Sequence, residues 1–245
     1  LPGVTAPELP ELVELQRIID AGGHHLRVQP ACEVRVGAAR FPVPVVILGS
    51  DRPEAPAVGF FGGIHGLERI GAAVVLAYLR SLVGRLSWDG TLQRQLESVR
   101  LVFMPIVNPG GMWQGTRANP NGVDLMRNAP VDSREKVPLL IGGQRLSARL
   151  PWFRGDAATM EQENLAVCRV VETELFGSPF SIAVDCHSGF GVSDRIWFPH
   201  AHTAAPIGHL PELHALKGIF DQAHPHHSYI FEPQSRQYLT HGDLW

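Results

Sequence analysis

The sequence predicts an α/β fold: a single domain with a mixed, largely parallel central sheet flanked by helices. Three observations carry that prediction. Apolar runs of strand length alternate along the chain with segments of helical period, the pattern of a sheet covered on both faces. The 245 residues, 44% of them apolar, are enough for one substantial core. Neither an internal repeat nor a linker-like stretch divides the chain, so residues 1–245 read as one domain.

Taken in order, Pro7 to Asp20 has a helical apolar face of Leu9, Leu12, Val13, Leu15, Ile18 and Ile19, ended by Gly22 and Gly23. His25 to Gln29 and Val43 to Leu48 read as strands, and Asp51 to Pro56 as a turn before the strand Ala57 to Phe61. Helices are expected over Ile70 to Leu82 and Thr91 to Val99, then a buried strand from Val99 to Val107 stopped by Asn108-Pro109-Gly110-Gly111. Met112 to Arg154 lacks regular period and is rich in Gly, Asn, Pro and Arg, which marks a functional loop. Met160 to Phe176 returns to helix, Phe180 to Val184 to strand, Leu210 to Ala223 to helix, and Ser228 to Phe231 to a short strand.

Composition excludes some partners. A net charge of -3 without a basic stripe gives no case for nucleic acid or an anionic membrane surface. No apolar stretch reaches the roughly 18 residues of a membrane-spanning helix. Cys32, Cys168 and Cys186 are scattered and odd in number, which argues against a disulfide framework and favours a reducing, cytoplasmic location. Leu1 rather than Met opens the sequence, which leaves room for a trimmed N-terminus.

The chemistry concentrates at Gly62-Gly63-Ile64-His65-Gly66-Leu67-Glu68, between an apolar strand and a helical segment. Open α/β sheets place ligand sites at such carboxyl ends of strands. His65 and Glu68, two residues apart in a tight turn, can face one divalent cation together. A catalytic zinc site usually takes three protein ligands and keeps a position open. The third is His187, in Asp185-Cys186-His187-Ser188-Gly189 at the end of another apolar run. Arg117 and Arg127 lie in the Asn- and Gly-rich stretch Gly115 to Asn128, where guanidinium groups suit recognition of an anionic group.

As an ordered set, these motifs resemble the zinc carboxypeptidases of the carboxypeptidase A type, especially bacterial relatives acting on small peptides such as murein tripeptides. The resemblance rests on H-G-L-E at 65 to 68, N-P-G-G at 108 to 111, T-R at 116 to 117, G-V-D-L-M-R-N at 122 to 128 and D-C-H-S-G at 185 to 189. It implies one zinc ion held by His65, Glu68 and His187. It gives Arg117 the task of polarising the scissile carbonyl, and assigns Arg127 with Asn128 to substrate binding, Arg127 holding a terminal carboxylate. Asp124 would hydrogen-bond a zinc-ligating histidine. Tyr238 matches the tyrosine that caps the bound substrate. Met126 departs from the pattern, since the family carries Asn before the carboxylate-binding Arg and a thioether cannot donate that hydrogen bond.

The implied activity is zinc-dependent hydrolysis of a C-terminal amide or peptide bond in a small peptide. The family's general-base glutamate lies on a late strand after the tyrosine, whereas this sequence stops at Trp245. The domain is therefore expected to be incomplete at its C-terminus, and residues 1–245 to bind zinc yet hydrolyse poorly. Two other readings stay open. One is a zinc-dependent deacylase of N-acyl amino acids, resembling the aspartoacylase and succinylglutamate desuccinylase group. The other is a non-catalytic binding module that keeps the zinc site.

Overall fold

The computed structural model describes residues 8–245, so Pro7, where the first helix is expected to begin, lies outside the described residues. Helix α1 (Pro10–Gly22) leads through a single 3-10 turn into β1 (Leu26–Val36) and β2 (Ala39–Gly49). Then come β3 (Ala57–Gly62), α2 (Arg69–Arg85), α3 (Gly90–Leu96), β4 (Arg100–Met104) and α4 (Pro109–Gln114). After a long connection follow α5 (Gln162–Val170), β5 (Ser181–Cys186), β6 (Arg195–Phe198), α6 (Leu210–Ala223) and β7 (Ile230–Pro233). Among the described residues no single helix is long and apolar enough to cross a membrane.

The chain groups into two compact units. The first takes the residues up to Asn121 together with Glu161–Ser188. It holds a mixed sheet in the order β1-β2-β4-β3-β5. The pairs β1–β2 and β2–β4 are antiparallel, and β4–β3 and β3–β5 are parallel. Every residue of β4 is buried, as expected of a strand covered on both faces. In α2 the residues Ala72, Val75, Leu76, Leu79 and Leu82 recur at helical spacing and pack with Leu15 and Ile18 of α1, Val46 and Leu48 of β2 and Phe103 of β4. Fully burying each such Leu, Ile or Val side chain contributes about 1.5–3 kcal/mol of transfer free energy.

The second unit takes Gly122–Met160 and Gly189–Trp245. It carries the parallel pair β6–β7, helix α6 and a 3-10 turn at Leu125–Arg127. Much of its irregular segment is tied down by two side chains. Gln144 Nε2 donates to the carbonyls of Ser147, Leu150 and Pro151, while its Oε1 accepts from Leu146 and Ser147. Arg154, buried, donates to the carbonyl of Arg127 and pairs with Asp132.

Candidate metal centre

The parallel register sets Phe61 beside Asp185 and Gly62 beside Cys186, so the chain leaves β3 and β5 at the same end of the sheet. The turn after β3 is then held by main-chain bonds from Val107 to Gly62 and from Asn108 to Gly63. Asn108, fully buried, fastens it further. Its Nδ2 donates to the carbonyl of Ile64 at 3.1 Å, and its Oδ1 accepts from Gly111 N at 2.8 Å, which caps α4. At two positions only glycine fits. A Cβ on Gly66 would stand 2.0 Å from the carbonyl carbon of Gly111, and one on Gly71 would stand 1.9 Å from the carbonyl oxygen of Cys186.

These supports bring His65, Glu68 and His187 together, with one ligand atom of each within 4.8 Å of the others. His65 and Glu68 are buried, and His65 Nδ1 lies 2.9 Å from Glu68 Oε1. The imidazole rings of His65 and His187 meet edge to face, 4.8 Å between centroids. Glu68 Oε2 accepts from the Ser188 backbone amide at 2.9 Å, and Arg117 donates to Glu68 Oε1 at 3.0 Å. Burial works to raise the Glu68 pKa, yet His65, the Ser188 amide and His187 outweigh it and hold the carboxyl below its ordinary range. For His187 burial disfavours the charged ring, but Asp185, whose Oδ2 lies 2.8 Å from Nδ1, and then Glu68 prevail and raise its pKa.

Two imidazoles and an ionised carboxylate, converging from one turn and one strand end, are the donor set of a three-ligand zinc site with an open position. The residues present therefore fit the ion. Among the described residues no second group of three His, Cys, Asp or Glu side chains converges in this way. His224, His226 and His227 form none, although His227 Nε2 does meet Asp221 at 2.8 Å.

The remaining predicted site residues lie in the second unit. Asp124, buried, accepts from Met126 N at 3.1 Å and so caps the 3-10 turn that carries Arg127. Arg127 is 2% exposed, with Nε donating to the carbonyl of Ile141 and Nη1 to that of Met126. Its guanidinium lies 5.8 Å from the Tyr238 ring centroid, and Tyr238 also meets Phe190 and Trp197. Among the described residues no carboxylate forms an ion pair with Arg127. Asn128 uses its Nδ2 to donate to the carbonyl of Arg154 at 2.9 Å.

Sequence reasoning missed two contributors to the metal centre. Asp185 precedes His187 by two residues, so an Asp-x-His run leaving a strand was a usable signal, because alternate residues share a face. The Ser188 amide is a backbone group and leaves no mark in residue types.

The sheet and the cluster define an α/β protein with a His-Glu-His group that could hold a metal ion at the carboxyl ends of parallel strands. The zinc carboxypeptidase family model matches residues 29–244, and the chain belongs to the zinc carboxypeptidase family. It is similar to carboxypeptidase SOL1 of Arabidopsis thaliana, 37% identical over 94 residues that make up 37% of this chain and 19% of that protein. It is also similar to carboxypeptidase E of Caenorhabditis elegans, 28% identical over 155 residues, covering 58% of this chain and 32% of the relative. The chain thus spans 19% and 32% of the length of these two curated relatives. Among solved structures, carboxypeptidase A from Helicoverpa armigera shares the fold with a TM-score of 0.72 at 17% identity, over 96% of this chain and 60% of that one. Thrombin activatable fibrinolysis inhibitor does so with a TM-score of 0.70 at 20% identity, over 95% of this chain and 59% of that one.

Proposed function

We propose that this chain carries the zinc centre of a metallocarboxypeptidase that releases the C-terminal residue of a small peptide. The observation that carries the reading is the convergence of His65, Glu68 and His187 within 4.8 Å, with Arg117 attached to Glu68. Zinc, when bound there, supplies a Lewis acid and lowers the pKa of a bound water towards neutrality. Glu68, fixed by the Ser188 amide, would hold the ion through a charged oxygen, and His65 and His187 would hold it through ring nitrogens. Arg117, a third exposed, is available to leave Glu68 and hydrogen-bond a substrate carbonyl whose oxygen gains charge during attack. Arg127 receives the terminal carboxylate. A buried guanidinium matched only by carbonyl oxygens still lacks a countercharge, and a carboxylate supplies one through two parallel hydrogen bonds.

The test is to incubate the full-length gene product with blocked dipeptides, murein tripeptide and N-acyl amino acids, with and without a zinc chelator, and to identify products by mass spectrometry. Chelator-sensitive release of a C-terminal amino acid is expected. Arg127→Met is expected to lower kcat/KM about 10- to 100-fold, the loss of a hydrogen bond to a charged group. Release of an acyl acid alone, or unchanged turnover by Arg127→Met, would contradict the reading.

A further inference from the structure

A polar cavity in the first unit, built from residues the proposed reaction does not use, has a volume of about 500 Å³. Cys32, Glu33, Asn119, Asn121 and Glu163 are in its wall. Glu163, in the first turn of α5, is 1% exposed. Its Oε1 accepts from Asn119 Nδ2 at 3.2 Å, while its Oε2 is buried without a partner. Among the described residues no Lys, Arg or His pairs with this carboxylate. The same Asn119 amide reaches Glu161 Oε2 at 2.8 Å, and Asn121 Nδ2 donates to that oxygen at 2.7 Å, so one carboxamide draws two acidic side chains together. The third acid is already neutralised, since Glu33 pairs with Arg35 and Arg40.

We infer that Glu163, together with Glu161 and the side-chain oxygen of Asn121, forms a site for a hard divalent cation of the calcium type, while Asn119, whose Oδ1 accepts from the Asn121 backbone amide at 3.1 Å, holds the two carboxylates in place. The donors are all oxygens, the ligand class such ions select, and the open cavity leaves room for water in the remaining coordination positions. A thiophilic ion finds no ligand here. Burial, followed by the charge of Glu163, pushes the Cys32 thiol up to about 12, so it stays protonated at neutral pH. A cation on the free oxygen of Glu163 also removes the oddity of a buried carboxylate without a countercharge. The site shares no residue with His65, Glu68 and His187, and its existence does not depend on the proposed reaction.

The experiment is thermal unfolding of the zinc-saturated chain at neutral pH, in millimolar calcium chloride and in sodium chloride of equal ionic strength. At a hundredfold excess over the dissociation constant, calcium is expected to raise the midpoint by about 5 °C. Glu163→Gln is expected to abolish that response. An unchanged wild-type midpoint, or an equal rise in Glu163→Gln, would overturn the inference. Should the variant not fold, equilibrium dialysis of the wild type with radioactive calcium decides instead. One bound calcium with zinc retained supports the site, and no bound calcium overturns it.

Discussion

Glu68 and Glu163 are both buried carboxylates, and their surroundings send them in opposite directions. Glu68 is surrounded by donors and stays charged, whereas burial lifts Glu163 above the ordinary 4.5, with Glu161 adding to the shift and its own amide and Asn119 opposing it. Because the folded pKa exceeds the unfolded one, the contribution of Glu163 favours the folded state below the ordinary glutamate range. It is lost as pH rises through the raised value. In calcium-free buffer, Glu163→Gln should therefore gain stability relative to the wild type as pH rises from acid to neutral, measured as urea midpoints across that range. A constant difference would show that Glu163 does not titrate in this way. His65, Glu68 and His187 were legible in the sequence because each sits where an apolar run ends. Glu163 was not, since a glutamate opening a helix is ordinary and only the tertiary packing removes its water.

At the scale of elements, the turn between β3 and α2 is the part on which the metal centre depends most. Asn108→Ala would leave the Gly111 amide and the Ile64 carbonyl unsatisfied in a buried place, an expected cost of about 2 kcal/mol in urea unfolding. Gly66→Ala should destabilise more, because its methyl group would overlap main chain. If both variants unfold at the wild-type midpoint, the turn is not held as described. The sequence reading took Asn108-Pro109-Gly110-Gly111 as a stop, yet Asn at the cap and Pro at the next position also open a helix, and α4 begins there. Helix α6 matches its predicted span from Leu210 to Ala223. Strand β1 runs beyond the expected Gln29 to Val36, because an edge strand tolerates Pro30 beside an irregularity in register. Strand β6, only Arg195–Phe198, is too short for its period to show. The helix expected to reach Phe176 instead passes into a π turn at Val171–Leu175.

For the whole molecule, the family was legible because its motifs stand in order over most of the chain. The grouping into two compact units was not, because Gly122–Met160 carries no linker-like composition and joins the rest of the second unit through scattered bonds from the Gly242 amide to the Val131 carbonyl, the Ser133 amide to His241 and the Thr203 hydroxyl to Glu135. What makes the chain a candidate enzyme is the three-ligand centre in the first unit. The most direct measurement is the zinc content of the purified chain after exhaustive dialysis against zinc-free buffer, for the wild type and for His65→Ala, Glu68→Ala and His187→Ala. One zinc per wild-type chain, with each substitution releasing it while the chain stays folded by circular dichroism, is the predicted result. A wild type that holds no zinc, or variants that keep it in full, would contradict the account.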